Sequence, residues 1–332
     1  MSKNRVLSGI RPTGQLHIGN YFGAVNQFVE LQNSGNECFF FVADLHALTT
    51  INKSFDLRGS TVEIVRSYLA CGIDPELSTI YCQSALPEIP YLTTLLGMMT
   101  SEAWLRRCTT YKEKAEKQET ASLGLLSYPV LMASDILIVN AETVPVGHDQ
   151  LQHLEMTRDI AMKFNTNFGE VFNLPKAQML KSIRVPGLDG SGKMGKSDGN
   201  TIGLFEDPKS IIKKVKAATT DLGPVQGSEM SPEIKNLFFI MELCCPNEVQ
   251  VMYRRMYDNL EQKFYGSMKA DIAKHLVEFL APIQENYNSP KCSPDAAMEV
   301  LHEGYKKVKP IAEEVFNNAY EKFNLFTDIP IK

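Results

Sequence analysis

No run of about 18 apolar residues, the length a membrane-crossing helix needs, occurs anywhere in this chain. Nor does the N-terminal stretch MSKNRVLSGI hold an apolar core of the kind found in a signal peptide. A cytoplasmic location is therefore expected. Paired cysteine motifs are also missing. The seven cysteines, Cys38, Cys71, Cys82, Cys108, Cys244, Cys245 and Cys292, are odd in number and include no CxxC. Neither a disulfide framework nor a zinc site is supported, and buried free thiols are the expectation. Adjacent Cys244 and Cys245 allow a strained bridge, which a reducing compartment disfavours. There is no excess of positive charge: 34 Lys and Arg face 39 Asp and Glu, for a net charge of −5. That balance does not exclude nucleic acid, because phosphate binding needs a local basic patch rather than a basic whole. Two lysine-rich stretches, Lys112 to Lys117 and Lys209, Lys213, Lys214 and Lys216, read as solvated helix faces unless a partner is found. Internal repeats and low-complexity tracts are absent.

What is present is ordinary globular composition, 44% hydrophobic and 22% charged. With 332 residues, one large domain plus a smaller one is expected. Val6 to Ile10 reads as a buried strand, Arg11-Pro12-Thr13-Gly14 as a turn, and Ile18 to Gln32 as a helix. Cys38 to Ala43 and Thr79 to Gln83 read as further strands around a helix from Leu57 to Cys71. Strands and helices alternating in this way define a parallel sheet with crossover helices, hence an α/β nucleotide-binding fold. Residues 86 to 115 look helical and 117 to 122 look like a polar loop. A helix is expected over Pro129 to Val139, with the proline in its first turn. Thr143 to Val146 reads as a short strand and His148 to Phe164 as a helix. Between 182 and 203 the chain is glycine-rich and without periodicity, and a mobile loop is expected. Beyond 207 the pattern is helical throughout. The boundaries that follow are a Rossmann-like domain over 1–206, an all-helical domain over 207–295, and a last helix within 296–332 packing back on the first domain.

Three clusters of residues carry chemistry. His17-Ile18-Gly19-Asn20 opens the helix after the first strand. A helix N-terminus offers unpaired N–H groups and partial positive charge, which suit phosphate. Gly19 removes the Cβ that would block a nucleotide, and His17 and Asn20 carry donors for phosphate or ribose; a capped surface helix is the plainer alternative. The second cluster is Gly190-Ser191-Gly192-Lys193-Met194-Gly195-Lys196-Ser197. It fits G-x-G-x-x-G, but a dinucleotide fingerprint follows the first strand and has an acid about 20 residues on. It also fits the start of a P-loop, but Met194 stands where that loop needs Ser or Thr. What survives is a loop whose two lysines can close over a triphosphate and neutralise a departing pyrophosphate. In the third cluster, Tyr128, Met132 and Asp135 share one helix face. A buried aspartate needs a partner, and an indole N–H or an internal donor would each serve. Gly147-His148-Asp149-Gln150 follows a strand and opens a helix, a ligand-facing place in a parallel sheet.

Together these residues resemble the bacterial tryptophanyl-tRNA synthetases, of class I, over nearly the whole chain. The two class I signatures, HIGH and KMSKS, appear as His17-Ile18-Gly19-Asn20 and Lys193-Met194-Gly195-Lys196-Ser197. The tryptophan branch is matched by Ser8 to Gly14, Asp44 to Thr49, Tyr128 to Asp135, Val144 to Gln150 and Thr157 to Ala161. The resemblance implies an ATP site lined by Arg11, Pro12, Thr13, Gly19, Asn20, Gly147, His148, Asp149 and Val185. The loop Lys193, Met194, Gly195, Lys196 and Ser197 would cover the phosphates, with help from Lys114. It implies Lys193, Lys196, His17 and Asn20 as the catalytic set. Asp135 would accept the indole N–H, with Tyr128, Met132, Gln150 and His46 completing the tryptophan pocket. Magnesium would arrive bound to ATP, with no protein metal site. Partners implied are L-tryptophan, ATP, tRNA(Trp) contacting the helical domain through its anticodon, and a second copy of the chain in a homodimer.

Three departures stand out. Asn20 replaces the second histidine of HIGH, as is normal for the tryptophan branch. Gly195 replaces a serine of KMSKS, removing a hydroxyl while both lysines remain. Arg11 stands where the family often has Gln, adding a fixed charge beside the substrates. Rival readings are a tyrosyl-tRNA synthetase on the same fold, a nucleotidyltransferase using an HIGH-like motif, and a catalytically silent synthetase-like RNA-binding protein.

Overall fold

The computed structural model describes residues 3–51, 54–109, 111–112, 121–147, 150–179, 183–195 and 199–325. Strands β1 (Arg5–Ile10), β2 (Glu37–Val42), β3 (Ser78–Cys82), β4 (Thr143–Val146) and β5 (Lys176–Met179) make one sheet in the order β3-β2-β1-β4-β5. Every neighbouring pair is parallel. Chain order therefore reverses at β1, which lies between β2 and β4. In a doubly wound sheet a ligand crevice opens outside the carboxyl ends of the strands at such a reversal.

Side chains alternate across the sheet with a period of two. In β2, Cys38, Phe40 and Val42 join one core cluster, while Phe39 and Phe41 join the other. Both faces are covered, which is why β2 reads as an unbroken apolar run. On the first face lie α1 (Ile18–Asn20), a π-helical turn (Tyr21–Val25), α2 (Asn26–Asn33) and α4 (Leu57–Ala70). Phe28 of α2 stacks on Phe40 with ring centroids 4.8 Å apart. A short helix, α3 (Asp44–Ala47), follows β2. On the second face lie α5 (Glu88–Met98), α6 (Glu102–Leu105), α7 (Leu123–Ile138) and α8 (Leu151–Phe168). The helices α9 (Pro208–Ala217), α10 (Pro232–Cys244), α11 (Asn247–Asp258) and α12 (Tyr265–Tyr287) extend the first core cluster. Among the described residues, no helix is long and apolar enough to cross a membrane. All seven cysteines are free.

The last helix, α13 (Pro294–Lys322), packs against β3, α4 and α7. Its approach to the sheet edge is set by Gly304, where an added Cβ would lie 1.7 Å from the Ile80 carbonyl oxygen. An uncovered edge strand invites pairing with another chain, and a helix laid along it removes that hazard. Lys309 of α13 pairs with Glu88 of α5, fixing the same contact from the side.

Four elements differ from expectation. The helix expected from Pro129 begins at Leu123, because the Ser122 hydroxyl accepts from the Leu125 N–H and starts it earlier. Pro129 then lies inside the helix, where it has no N–H to offer the preceding turn. The helical stretch of 86 to 115 is interrupted at Met99–Ser101, with Ser101 in an extended conformation before α6. The helix expected to end at Phe164 runs on to Phe168, where Gly169 at φ 104° stops it. Strand β5 was not expected: all four of its residues are exposed, so its alternation carries no apolar signal. Its pairing with β4 is a tertiary event.

Replacing Gly304 with Ala forces a Cβ against backbone and should destabilise the chain by about 1–3 kcal/mol, the usual cost of overpacking. Urea unfolding followed by circular dichroism measures it. An unchanged midpoint would mean that α13 does not press on β3.

Candidate active site

Strands β1 and β4 pair only at their amino ends, through Val6 and Thr143. Beyond that pair they part, and a cavity of about 400 Å³ opens between them, lined by Leu7 to Arg11 and Val144 to Val146. Its far wall comes from His46 after β2, from Tyr128, Met132, Asp135 and Ile136 on α7, and from Gln150 and His153 at the head of α8. Gly9 lets the wall close up, since a Cβ there would lie 2.6 Å from the Phe41 carbonyl oxygen. The volume suits a small organic ligand.

Asp135 is 1% exposed. Its Oδ2 is 3.0 Å from Nε2 of His46, and Nε2 of Gln83 lies 2.8 Å from Oδ1 and 2.9 Å from Oδ2. With the carboxylate ionised, His46 must carry its proton on Nε2. A carboxylate offers about four acceptor positions, so these bonds leave capacity for a donor from the cavity. Burial raises the Asp135 pKa, the bonds from His46 and Gln83 lower it, and the nearby Asp44 adds to the rise, leaving the group above its ordinary value.

A second network faces the first across the cavity. Gln150 Oε1 is 2.9 Å from His153 Nδ1, so Nδ1 donates and Nε2 is left to accept. The Tyr128 hydroxyl bonds to that Nε2, and Cys108 Sγ is 3.3 Å from it. Arg11 follows β1 in the cavity wall; desolvation lowers its pKa and Tyr128 opposes the shift.

The predicted tryptophan-pocket residues His46, Tyr128, Met132, Asp135 and Gln150 are thus brought together, with Arg11 beside them. Of the remaining predicted residues, His17, Gly19, Asn20 and Met194 meet at the head of α1. His17 caps α1: its Nδ1 accepts from the Gly19 N–H at 3.1 Å, and Asn20 Oδ1 accepts from the His17 N–H at 3.1 Å. The cap leaves Nε2 of His17 and Nδ2 of Asn20 outside its own bonding. The residues 16–18 and 202–204 run side by side, with Ile18 N–H donating to Ile202 and Leu204 N–H to Leu16. Met194 is buried and its Cβ stands 3.7 Å from where a Gly19 Cβ would be, so the lysine loop meets the head of α1. Pro12 is buried, Thr13 and Gly147 are half-buried, and Lys193 is exposed. Val185 is 2% exposed, its side chain belongs to the core, and its carbonyl accepts from Met194 N–H at 3.0 Å. His148, Asp149, Lys196, Ser197 and Lys114 lie outside the described residues.

Among the described residues the loop has no helix or longer strand, yet it is tied together by Asn200, which is 5% exposed. Asn200 Nδ2 donates to Asp189, to Ser191 Oγ at 2.8 Å and to the Lys193 carbonyl at 3.2 Å, while its Oδ1 accepts from Gly195 N–H at 2.9 Å. Asn236 of α10 donates to the Ser191 carbonyl at 2.9 Å, joining the loop to the helical region. Lys214 of α9 is committed to Glu206 and the Thr201 carbonyl, while Lys209, Lys213 and Lys216 stay on a solvated face.

Four residues of this site were missed in the sequence: Gln83, His153, Asn200 and Asp44. Gln83 was detectable, since it follows β3 at the carboxyl end of a parallel strand. His153 lies one helical turn beyond Gln150. Asn200 carries no sequence signal.

A crevice at the reversal of a doubly wound sheet, walled by an acid-bearing apolar pocket and met by a capped helix and a lysine loop, is the architecture of a nucleotide-using enzyme. The chain belongs to the family of class I tRNA synthetases for W and Y, which it matches over residues 1–281. It is 44% identical to the tryptophan–tRNA ligase of Porphyromonas gingivalis over 92% of this chain and 95% of that one. With the tryptophan–tRNA ligase of Fusobacterium nucleatum it shares 43% identity over 98% of this chain and 99% of the other. Among solved structures, the tryptophanyl-tRNA synthetase of Campylobacter jejuni, complexed with ADP and tryptophan, superposes with a TM-score of 0.85 at 37% identity, covering 97% of this chain and 100% of that one.

The raised Asp135 pKa has a consequence for stability. The folded chain binds that proton more tightly than the unfolded chain. The resulting stabilisation is complete below the unfolded value of about 4 and is lost as pH rises through the native value. Asp135→Asn has no such loss, so its stability relative to the parent should rise as pH climbs above about 4. Urea unfolding across that range tests this; a difference that narrows with rising pH would mean the anion is net favoured.

Proposed function

We propose that this chain activates L-tryptophan with ATP and transfers the product to the 3′ end of tRNA(Trp). The observation that carries the reading is a buried carboxylate, Asp135, in the wall of an apolar cavity at the sheet's reversal point. An indole presents one N–H donor to that wall, which a phenyl ring lacks. Likeness to tryptophan–tRNA ligases over nearly the full chain supports tryptophan over tyrosine.

In the first step a tryptophan carboxylate oxygen attacks the α-phosphorus of ATP. The α–β phosphoanhydride bond breaks, giving tryptophanyl-adenylate and pyrophosphate. In the second, the terminal 2′-hydroxyl of tRNA attacks the activated carbonyl and AMP leaves. Neither step needs a protein nucleophile, so positioning and charge stabilisation supply most of the acceleration. We assign Arg11, Pro12, Thr13, Gly19, Asn20, Gly147, His148, Asp149 and Val185 to the ATP site. Lys193 and Lys196 in the loop 193–197 hold the phosphates, with His17 and Asn20 beside them. Magnesium enters with ATP. His46, Tyr128, Met132 and Gln150 enclose the indole with Asp135. Residues 207–295 contact the tRNA anticodon, the 296–332 segment completes the catalytic domain over 1–206, and two copies act as a homodimer in the cytoplasm.

Amino-acid-dependent pyrophosphate exchange tests the reading. Tryptophan should support exchange and tyrosine should not; the reverse would overturn the assignment. Lys193→Ala should slow exchange by about 10²-fold or more, the usual effect of losing a preorganised charge donor. An unchanged rate would remove Lys193 from the reaction.

A further inference from the structure

Gln83 stands where three elements converge. It follows β3 and is 0% exposed. Its Oε1 accepts from the Leu45 N–H at 3.0 Å and the His46 N–H at 3.3 Å, the first turn after β2. Its Nε2 spans both oxygens of Asp135 on α7, at 2.8 and 2.9 Å. One amide thus anchors the backbone that carries His46 and orients the carboxylate that His46 also touches. An amide lying across both oxygens fixes the plane of the carboxylate, which a single donor does not do. Without it, His46 would be the sole side-chain donor to Asp135 among the described residues, and the carboxyl would be free to rotate about its bond. The titratable groups facing Asp135 are His46 from α3, Asp44 from the head of the same turn, and the Tyr81 hydroxyl from β3. Asp44 is itself held by Ser84 and by the Leu45 N–H, so His46 and Gln83 together offset it at Asp135.

We infer that Gln83 is a positioning residue for amino-acid selection, holding Asp135 as a rigid, ionised acceptor toward the cavity and so setting the preference for a ring that bears an N–H. The inference rests on Asp135 being the indole acceptor. Neither Gln83 nor its amide touches the reacting atoms; it acts through Asp135 and His46.

The test compares tryptophan with its analogue in which sulfur replaces the indole N–H, by pyrophosphate exchange across pH. Two variants are used. Gln83→Met removes the amide at similar length, and Gln83→Leu removes it with a shorter, branched side chain. Both should lower the preference for tryptophan over the analogue by about tenfold or more, the usual effect of losing a hydrogen bond to a charged group. They should also move the acid limb of kcat/KM for tryptophan to higher pH, since a donor that favours the anion is gone. Equal losses on both substrates with an unmoved acid limb would reduce Gln83 to a packing residue and overturn the inference. Asp135→Ala, which leaves no acceptor in place of the carboxylate, separates the two layers. If it keeps the preference, the indole-acceptor reading itself fails. If it loses the preference while both Gln83 variants retain it, only the role of Gln83 fails.

Discussion

A carboxylate with 1% exposure is costly to keep unless donors surround it, and most of the cavity's architecture meets that demand at Asp135. The donors come from places far apart in the chain. His46 leaves the end of β2, Gln83 leaves the end of β3, and Asp135 itself rides on α7. They meet because parallel strands deliver their carboxyl ends to one edge of the sheet and because α7 crosses that edge. Moving any of these elements would leave a buried polar group without its partner, which ties the pocket to the register of the sheet. The same burial makes the charge of Asp135 a load on the fold.

The cavity exists because β1 and β4 stop pairing after one residue pair. Gly9 closes its floor against Phe41, and the chain leaves β1 through Arg11 toward the cap of α1. The cap of α1 is therefore joined directly to the cavity wall by a single connection. His17 and Asn20 spend part of their hydrogen bonding on capping each other's backbone, so a signature that reads as ligand chemistry is also local structure. The lysine loop is likewise more than a charged flap. Asn200 gathers its backbone, Met194 seats it against α1, and Asn236 links it to α10, which ties the loop to the helical region.

Much of this was legible in the sequence, for reasons that differ by element. The apolar runs of β1 and β2 and the helical spacing around Leu57 to Cys71 are local signals of burial on both sides of a sheet. Tyr128, Met132 and Asp135 were placed on one face by helical periodicity alone, and the two signatures drew attention to His17 and Lys193 through glycine and charge spacing. Strand β5 was illegible because a fully exposed edge strand has no pattern, and the start of α7 was misplaced because a proline suggested a boundary that a serine cap had already set. Gln83 and Asn200 are polar residues with no periodic partner, so nothing near them in the chain tells of their bonds.

By itself, then, the order of residues determined the layered α/β class, the identity of the helix carrying the acid, and the chemistry to be expected at the glycine-bearing turns. Those are properties of short stretches, governed by side-chain period, caps and backbone freedom. The strand order, the parting of β1 from β4, and the convergence of His46, Gln83 and Asp135 on one point were decided by tertiary structure. They depend on contacts between residues tens of positions apart, and such contacts become specific only when burial forces every polar group to find a partner.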